Sequence, residues 1–294
     1  MVFVNLLVGF ILALAIALAA YRARTLDRSG AVAAAVLGTL IFGLGGLAWA
    51  FLLIAFFVSS SLLSRLFGKR KRSLDEKFSK GSRRDAWQVA ANGGVAGLFA
   101  LMHAFFPAET WPWIGCAAAL AAANADTWAT ELGVLSRNTP RMIHTGKPVE
   151  RGTSGGVTLE GTLAALAGSA LIALIAVVFW RGYTGLVLVG VPFRIADLMG
   201  ITPVDFSFEQ RLLWFGWITL AGLLGSLIDS LLGATLQAIY RCPRCGKETE
   251  KYPLHSCGAQ TTLVRGLPWL DNDWVNTFCT VSAALAAVVM WYLL

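Results

Sequence analysis

Apolar runs long enough to cross a bilayer recur from one end of this chain to the other. A span needs about 20 mainly apolar residues. Eight stretches qualify, at 2–20, 29–45, 46–66, 86–106, 112–132, 157–180, 212–239 and 273–293. In lipid only helices and closed barrels satisfy every backbone polar group, and runs of this length are helical rather than strand-like. The pattern predicts an all-α fold, a polytopic membrane bundle of about eight transmembrane helices. Only 14% of residues are charged, against about 25% in soluble proteins. Soluble nucleotide-binding folds, secreted disulfide scaffolds and disordered tails are therefore excluded. The 294 residues are read as one transmembrane helical domain, 1–294. The second and third stretches share a run divided only by Gly43-Leu44-Gly45-Gly46, so a re-entrant hairpin is the alternative there.

The net charge of +7 suggests topology rather than nucleic acid. The loops at 21–30, 65–84, 137–151 and 241–265 hold 21 of the 24 Lys and Arg residues and alternate onto one side. Arg181, Arg194 and Arg211 fall on the other. By the positive-inside rule, the loop-rich side is cytoplasmic and both termini lie outside. In a bacterial cell the host would be the inner membrane. The run Gly68-Lys69-Arg70-Lys71-Arg72 reads as a topology anchor, with contact to anionic headgroups as the alternative. Met1-Val2-Phe3-Val4-Asn5 lacks the basic start of a signal peptide.

Ionisable groups within spans are costly and usually functional, and here they gather towards the predicted cytoplasmic ends. Arg84, Gln88 and Asn92 share a helical face, as do Asn124, Thr127 and Glu131, with Asp126 about a quarter-turn away. Gly225, Asp229, Gly233 and Gln237 form a third stripe, and the last span opens Asp271-Asn272-Asp273-Trp274-Val275-Asn276. An interhelical hydrogen-bond network is the plain structural reading. A divalent-cation site explains several converging carboxylates better, since Mg²⁺ takes hard oxygen ligands and bridges carboxylates to substrate phosphates. Asp229, however, lies roughly 18 Å along a helix from Arg241, near mid-membrane, unless the helix breaks at Gly225 or Gly233.

Two loops carry further chemistry. Between the fifth and sixth stretches, Lys147 and Arg151 precede Gly152-Thr153-Ser154-Gly155-Gly156-Val157-Thr158, which runs into a helix. Backbone N–H groups at such a junction bind anions, and glycine lets phosphate approach closely. A flexible loop with a helix cap is the bland alternative. His144 reads as a loop residue. Within 241–266, Cys242, Cys245, His255 and Cys257 form a zinc-knuckle-like Cys₃His set suited to structural Zn²⁺. Four protein ligands close such a site, so the insert is expected to staple a loop and take no part in catalysis. Cys116 and Cys279 lie in spans and read as packing residues.

Four blocks occur in order: Asn124-Ala125-Asp126-Thr127-Trp128-Ala129-Thr130-Glu131-Leu132-Gly133, Gly152-Thr153-Ser154-Gly155-Gly156-Val157-Thr158, Gly225 to Ala234, and Asn272-Asp273-Trp274-Val275-Asn276. With them the chain resembles the integral-membrane family that includes the phytyl-phosphate kinases of tocopherol synthesis. That family looks distantly related to dolichol kinase and CDP-diacylglycerol synthase. The likeness runs from Asp27-Arg28-Ser29-Gly30 to the last span. It implies transfer of a γ-phosphoryl group from a nucleoside triphosphate, with CTP the donor associated with plant members, to an isoprenoid monophosphate such as phytyl phosphate. On that reading Asp126 and Asp229 hold Mg²⁺, with Glu131 a further ligand or orienting base. Gly152 to Thr158 cradle nucleotide phosphates, Lys147 and Arg151 balance charge, and Gln88, Asn92, Asn124, Asn272, Asp273 and Asn276 orient the reactants. A cytidylyltransferase-like enzyme forming a CDP-lipid, and a transporter or scramblase of a phosphorylated lipid, are the alternatives.

Overall fold

A computed structural model describes residues 2–71, 83–179 and 207–294. Among them are eight helices: α1 (Val2–Arg22), α2 (Arg28–Gly45), α3 (Leu47–Lys71), α4 (Ala86–Phe105), α5 (Trp111–Gly133), α6 (Leu159–Val178), α7 (Phe208–Thr235) and α8 (Asn272–Leu293). Short strands lie between them: β1 (Arg141–Met142), β2 (Gly156–Val157), β3 (Ile239–Arg241), β4 (Glu248–Thr249) and β5 (Thr262–Arg265). The side chains of the basic run 68–72, Arg181, Arg194 and the last residue of the sixth stretch lie outside the described residues.

Six of the helices are long and apolar enough to cross a membrane on composition alone; α4 and α5 are not among them. The reason is visible for α5. It packs against α3, α4, α6, α7 and α8, and Ala117 to Ala123 are enclosed by protein. A helix ringed by helices does not meet lipid, so it needs small side chains that let backbones approach more than it needs hydropathy. Cys116 and Cys279 are buried in the same core, as packing residues should be.

The re-entrant alternative for α2 and α3 does not hold. At the start of α2, Asp27 caps the helix, donates its own N–H to the Arg84 carbonyl and lies beside the N-terminus of α4. At the start of α3, Trp49 stacks on His103, near the C-terminus of α4. The far end of α3 reaches α5 where Ser64 donates to Glu131. Both helices therefore run the full height of α4, on either side of a turn at Gly46.

The seventh predicted span ends too late. α7 stops at Thr235, and Gln237 to Tyr240 leave it for β3. Asp229 therefore sits only roughly 9 Å from the helix end, and not at mid-bundle. The helix is continuous through Gly225 and Gly233. A Cβ on Gly225 would approach Ala122 Cβ and the Cys279 carbonyl at 2.7 Å, so this glycine brings α7 against α5 and α8.

Candidate functional site

One end of the bundle gathers the C-termini of α1, α3, α5 and α7 and the N-termini of α2, α4, α6 and α8. A cavity of about 300 Å³ opens there between α4, α5, α6, α7 and α8. Its walls include Gln88, Asn92, Asp126, Glu131, Arg151, the loop Gly152 to Thr158, Asp229, Asn272 and Asn276. Residues from four distant segments thus converge on one cavity.

Asp126 and Asp229 meet across the α5–α7 contact, within hydrogen-bonding reach, and the Glu250 carboxylate also acts on Asp229. Asp229 Oδ2 is buried with no hydrogen-bond partner among the described residues. Three neighbouring carboxylates repel one another unless a proton or cation lies between them. The donor set, all hard oxygens, fits Mg²⁺. Asn92 and Asn276 each donate their amide nitrogen to the carbonyl one turn back, Gln88 and Asn272, both at 3.0 Å. Both residues line the cavity.

Positive charge enters from Arg84 and Arg151. Arg84 is held by its backbone, whose N–H donates to the Thr25 carbonyl (3.0 Å) and whose carbonyl accepts from Asp27 (3.1 Å). Gly30 makes this possible, because a Cβ there would lie 2.1 Å from the Arg84 carbonyl oxygen. Burial pulls the Arg84 guanidinium down to about 10, and the Glu131 carboxylate acts in the opposite sense. The group remains charged at neutral pH. Glu131 also accepts from Ser64 (2.8 Å), tying α3 to α5.

The glycine-rich loop is a built element. Met142 and Gly156 face each other in the β1–β2 ladder, and the Met142 N–H donates to the Lys147 carbonyl. Gly155 has φ +83° and lies so close to α7 that a Cβ would sit 2.4 Å from that of Ala234. Ser154 donates to Gln237 Oε1 (2.6 Å). Thr158 caps α6 by accepting from the Gly161 N–H (3.0 Å), so the loop lines the cavity while one of the first-turn N–H groups is already engaged.

Three expected residues do not reach the cavity. Asn124 is enclosed, accepting from Ser59 and Ser60 and donating to the Gly168 carbonyl (2.8 Å); it joins α3, α5 and α6. Lys147 lies exposed in the turn between β1 and β2, and Asp273 sits on the first turn of α8 outside the lining. Gln88 lines the cavity but also closes a capping box with Asp85 at the start of α4.

The cysteine insert folds as a three-stranded antiparallel sheet, ordered β4-β3-β5. Ligand atoms of Cys242, Cys245, His255 and Cys257 lie within 4.8 Å of one another and could hold a metal ion. His255, at 3.3 Å, draws the Cys257 thiol down to about 6, towards the thiolate a metal requires. The insert is not remote from the cavity. Gln237 Nε2 donates to Glu250 (2.9 Å), the residue after β4, and Glu250 lines the cavity. The sequence reading missed Glu250, which stands in a Lys- and Glu-rich stretch that looks like solvated loop.

The sequence matches an integral membrane family, described as integral membrane protein DUF92, across residues 11–284. The chain belongs to this family. It is 34% identical over 285 residues to Protein PGR of Arabidopsis thaliana, covering 92% of this chain and 91% of that protein. An uncharacterized membrane protein of Methanocaldococcus jannaschii is 33% identical over 237 residues, 79% and 96% of the two chains. Protein VTE6, chloroplastic, of Arabidopsis thaliana is 25% identical over 269 residues, 90% of this chain and 65% of that one. No solved structure matches. The family match spans all four sequence blocks and every residue lining the cavity.

Proposed function

We propose that the protein is a membrane-embedded, Mg²⁺-dependent kinase. It transfers the γ-phosphoryl group of a nucleoside triphosphate, CTP first among candidates, to an isoprenoid monophosphate such as phytyl phosphate. The observation that carries this reading is the meeting of Asp126, Asp229 and Glu250 with a glycine-rich loop and two arginines in one cavity. The resemblance to phytyl-phosphate kinases supports the same chemistry.

Phosphoryl transfer is mainly a matter of positioning and charge neutralisation. An acceptor phosphate oxygen attacks the γ-phosphorus, and the bond to the β–γ bridging oxygen breaks. Lipid diphosphate and nucleoside diphosphate result. The acceptor is already ionised at neutral pH, so no strong base is required. Mg²⁺ held by Asp126 and Asp229 would neutralise charge on the phosphates. Gly152 to Gly156 receive the nucleotide phosphates, Arg151 balances their charge, and Arg84 faces the acceptor. Asn92, Asn272 and Asn276 orient the reactants through amide groups. Glu131 sets the position of Arg84. Residues 1–294 act as one transmembrane unit, with 241–266 an insert holding Zn²⁺.

The test is direct. Purified protein with Mg²⁺ and γ-labelled CTP or ATP is offered phytyl, farnesyl and geranylgeranyl monophosphates. Label in a lipid diphosphate is expected. Pyrophosphate release without labelled lipid would replace the kinase by a cytidylyltransferase. Neither product from folded protein, at any acceptor, would overturn an enzymatic reading in favour of transport.

A further inference from the structure

A second cavity, of about 630 Å³, adjoins the first. It runs between α1 and α3, with α2 and the first turns of α4 as its floor. α1 packs along α2 and α2 along α4, while α3 meets the end of α1 where the Arg65 guanidinium donates to the Ala23 carbonyl, so the groove opens sideways between the two helices beyond that contact. On α3 it is lined from Leu47 to Arg65, roughly 27 Å of helix. Its walls are almost wholly apolar. Its volume falls within the range of about 300–1,000 Å³ in which proteins enclose a small ligand.

The two cavities share a wall. Arg84, Gln88 and Asn92 line both. At that junction the Arg84 guanidinium lies 5.6 Å and 5.9 Å from the ring centroids of Phe56 and Phe57. Nearby, the Ser61 hydroxyl lines the groove, buried and with no hydrogen-bond partner among the described residues. A cation and an unused hydroxyl at the head of a long apolar slot match one ligand shape: an anionic head on a single apolar tail. A two-chain phospholipid would meet the same cation with its second chain left in the bilayer beside the sideways opening, and competition by unlabelled prenyl monophosphate separates the two ligands.

We propose that this groove is the tail subsite of the acceptor. It takes the chain of a prenyl monophosphate, with Arg84 and Ser61 at the phosphate end, and its far end near Ala50 limits chain length. This rests on the kinase reading for the identity of the acceptor.

The experiment reads binding, independently of turnover. Geranylgeranyl monophosphate carrying a diazirine at its tail end is photolysed with the full-length protein in lipid nanodiscs. The labelled residues are then mapped by mass spectrometry. Label is expected on α3 around Ala50 to Ile54 and on the facing part of α1, and excess unlabelled geranylgeranyl monophosphate should remove it. Ala50→Phe fills the far end. It should weaken competition by geranylgeranyl monophosphate roughly tenfold while leaving geranyl monophosphate unchanged. Leu53→Ala widens the slot and should shift the ratio the other way, which keeps the test decisive if Ala50→Phe does not fold. Label on α7 or α8, label undiminished by competitor (a slot filled by bulk lipid), or an unchanged ratio in the folded variants would each overturn the subsite. Competed label in the groove of a protein that phosphorylates no prenyl phosphate would uphold the subsite and overturn the kinase.

Discussion

Asp126 and Asp229 come from helices whose sequences lie a hundred residues apart, yet their carboxyls touch. A pair of this kind is worth its cost in a membrane protein only if something positive sits beside it. Asp126→Asn and Asp229→Asn should each lower kcat by on the order of 100-fold or more, with an unchanged melting temperature in detergent. Full activity in both would sink the site. Glu250→Gln should cost roughly 10–100-fold, as expected of a group that supports a metal site from its edge. Asn124 makes the opposite prediction. Its amide is spent on Ser59, Ser60 and Gly168, so Asn124→Ala leaves buried partners unsatisfied. That should cost about 1–3 kcal/mol of stability, read as a lower melting temperature, while the folded fraction turns over normally. The two outcomes separate polar residues that act from polar residues that hold. Sequence could not separate them, because an asparagine in an apolar span looks the same in either role.

Elements were easier to read than their ends. Helices α1 to α8 follow from the apolar runs, because length and lipid leave little choice. The end of α7 was misplaced because Gln237-Ala238-Ile239-Tyr240 is apolar enough to extend a span, yet it enters a sheet. That sheet belongs to the cysteine insert, and it changes what the insert is for. Gln237 bridges Ser154 of the glycine-rich loop to Glu250 of the insert, so three elements share one side chain. The Cys₃His spacing was legible, whereas the arrival of Glu250 at the cavity depends on tertiary contacts. The purified protein should carry about one zinc per chain, measured by elemental analysis. Cys242→Ser with Cys245→Ser should lose it. Because Glu250 then loses its support, turnover should fall together with stability. Metal-free protein that keeps full activity would return the insert to a mere staple. Gly155→Val tests the loop side of the same junction. With φ at +83° and α7 in contact, it should detach the loop and raise KM for the nucleotide more than it alters the melting temperature.

At the scale of the whole molecule, the cavity lies at one end and the chain termini at the other. Leu6 near the start of α1 packs on Gly43 at the far end of α2, and Trp291 near the end of α8 packs on Trp214 at the start of α7. The arginines of the described loops around 22–28, 83–84, 137–151 and 241–265 all belong to the cavity end, and Arg211 to the other. A charge asymmetry of this kind orients a bundle during insertion. On the proposed kinase reading the site faces the compartment that holds nucleotides, so the charge asymmetry and the proposed chemistry predict the same orientation. In intact cells, a membrane-impermeant maleimide should label Ala108→Cys, in the loop joining α4 to α5. It should not label Thr145→Cys, at the tip of the glycine-rich lobe. Inverted vesicles should reverse the pattern. Cys116 and Cys279 are buried but Cys245 of the insert is exposed, so labelling in each orientation is read as the increment over the native protein. Labelling of Thr145→Cys from outside would place the cavity away from cytoplasmic nucleotide. The kinase reading would then fail even if every carboxylate proved essential, and export of a phosphorylated lipid would become the simpler use for an acidic, arginine-flanked cavity opening beside a lipid-accessible groove.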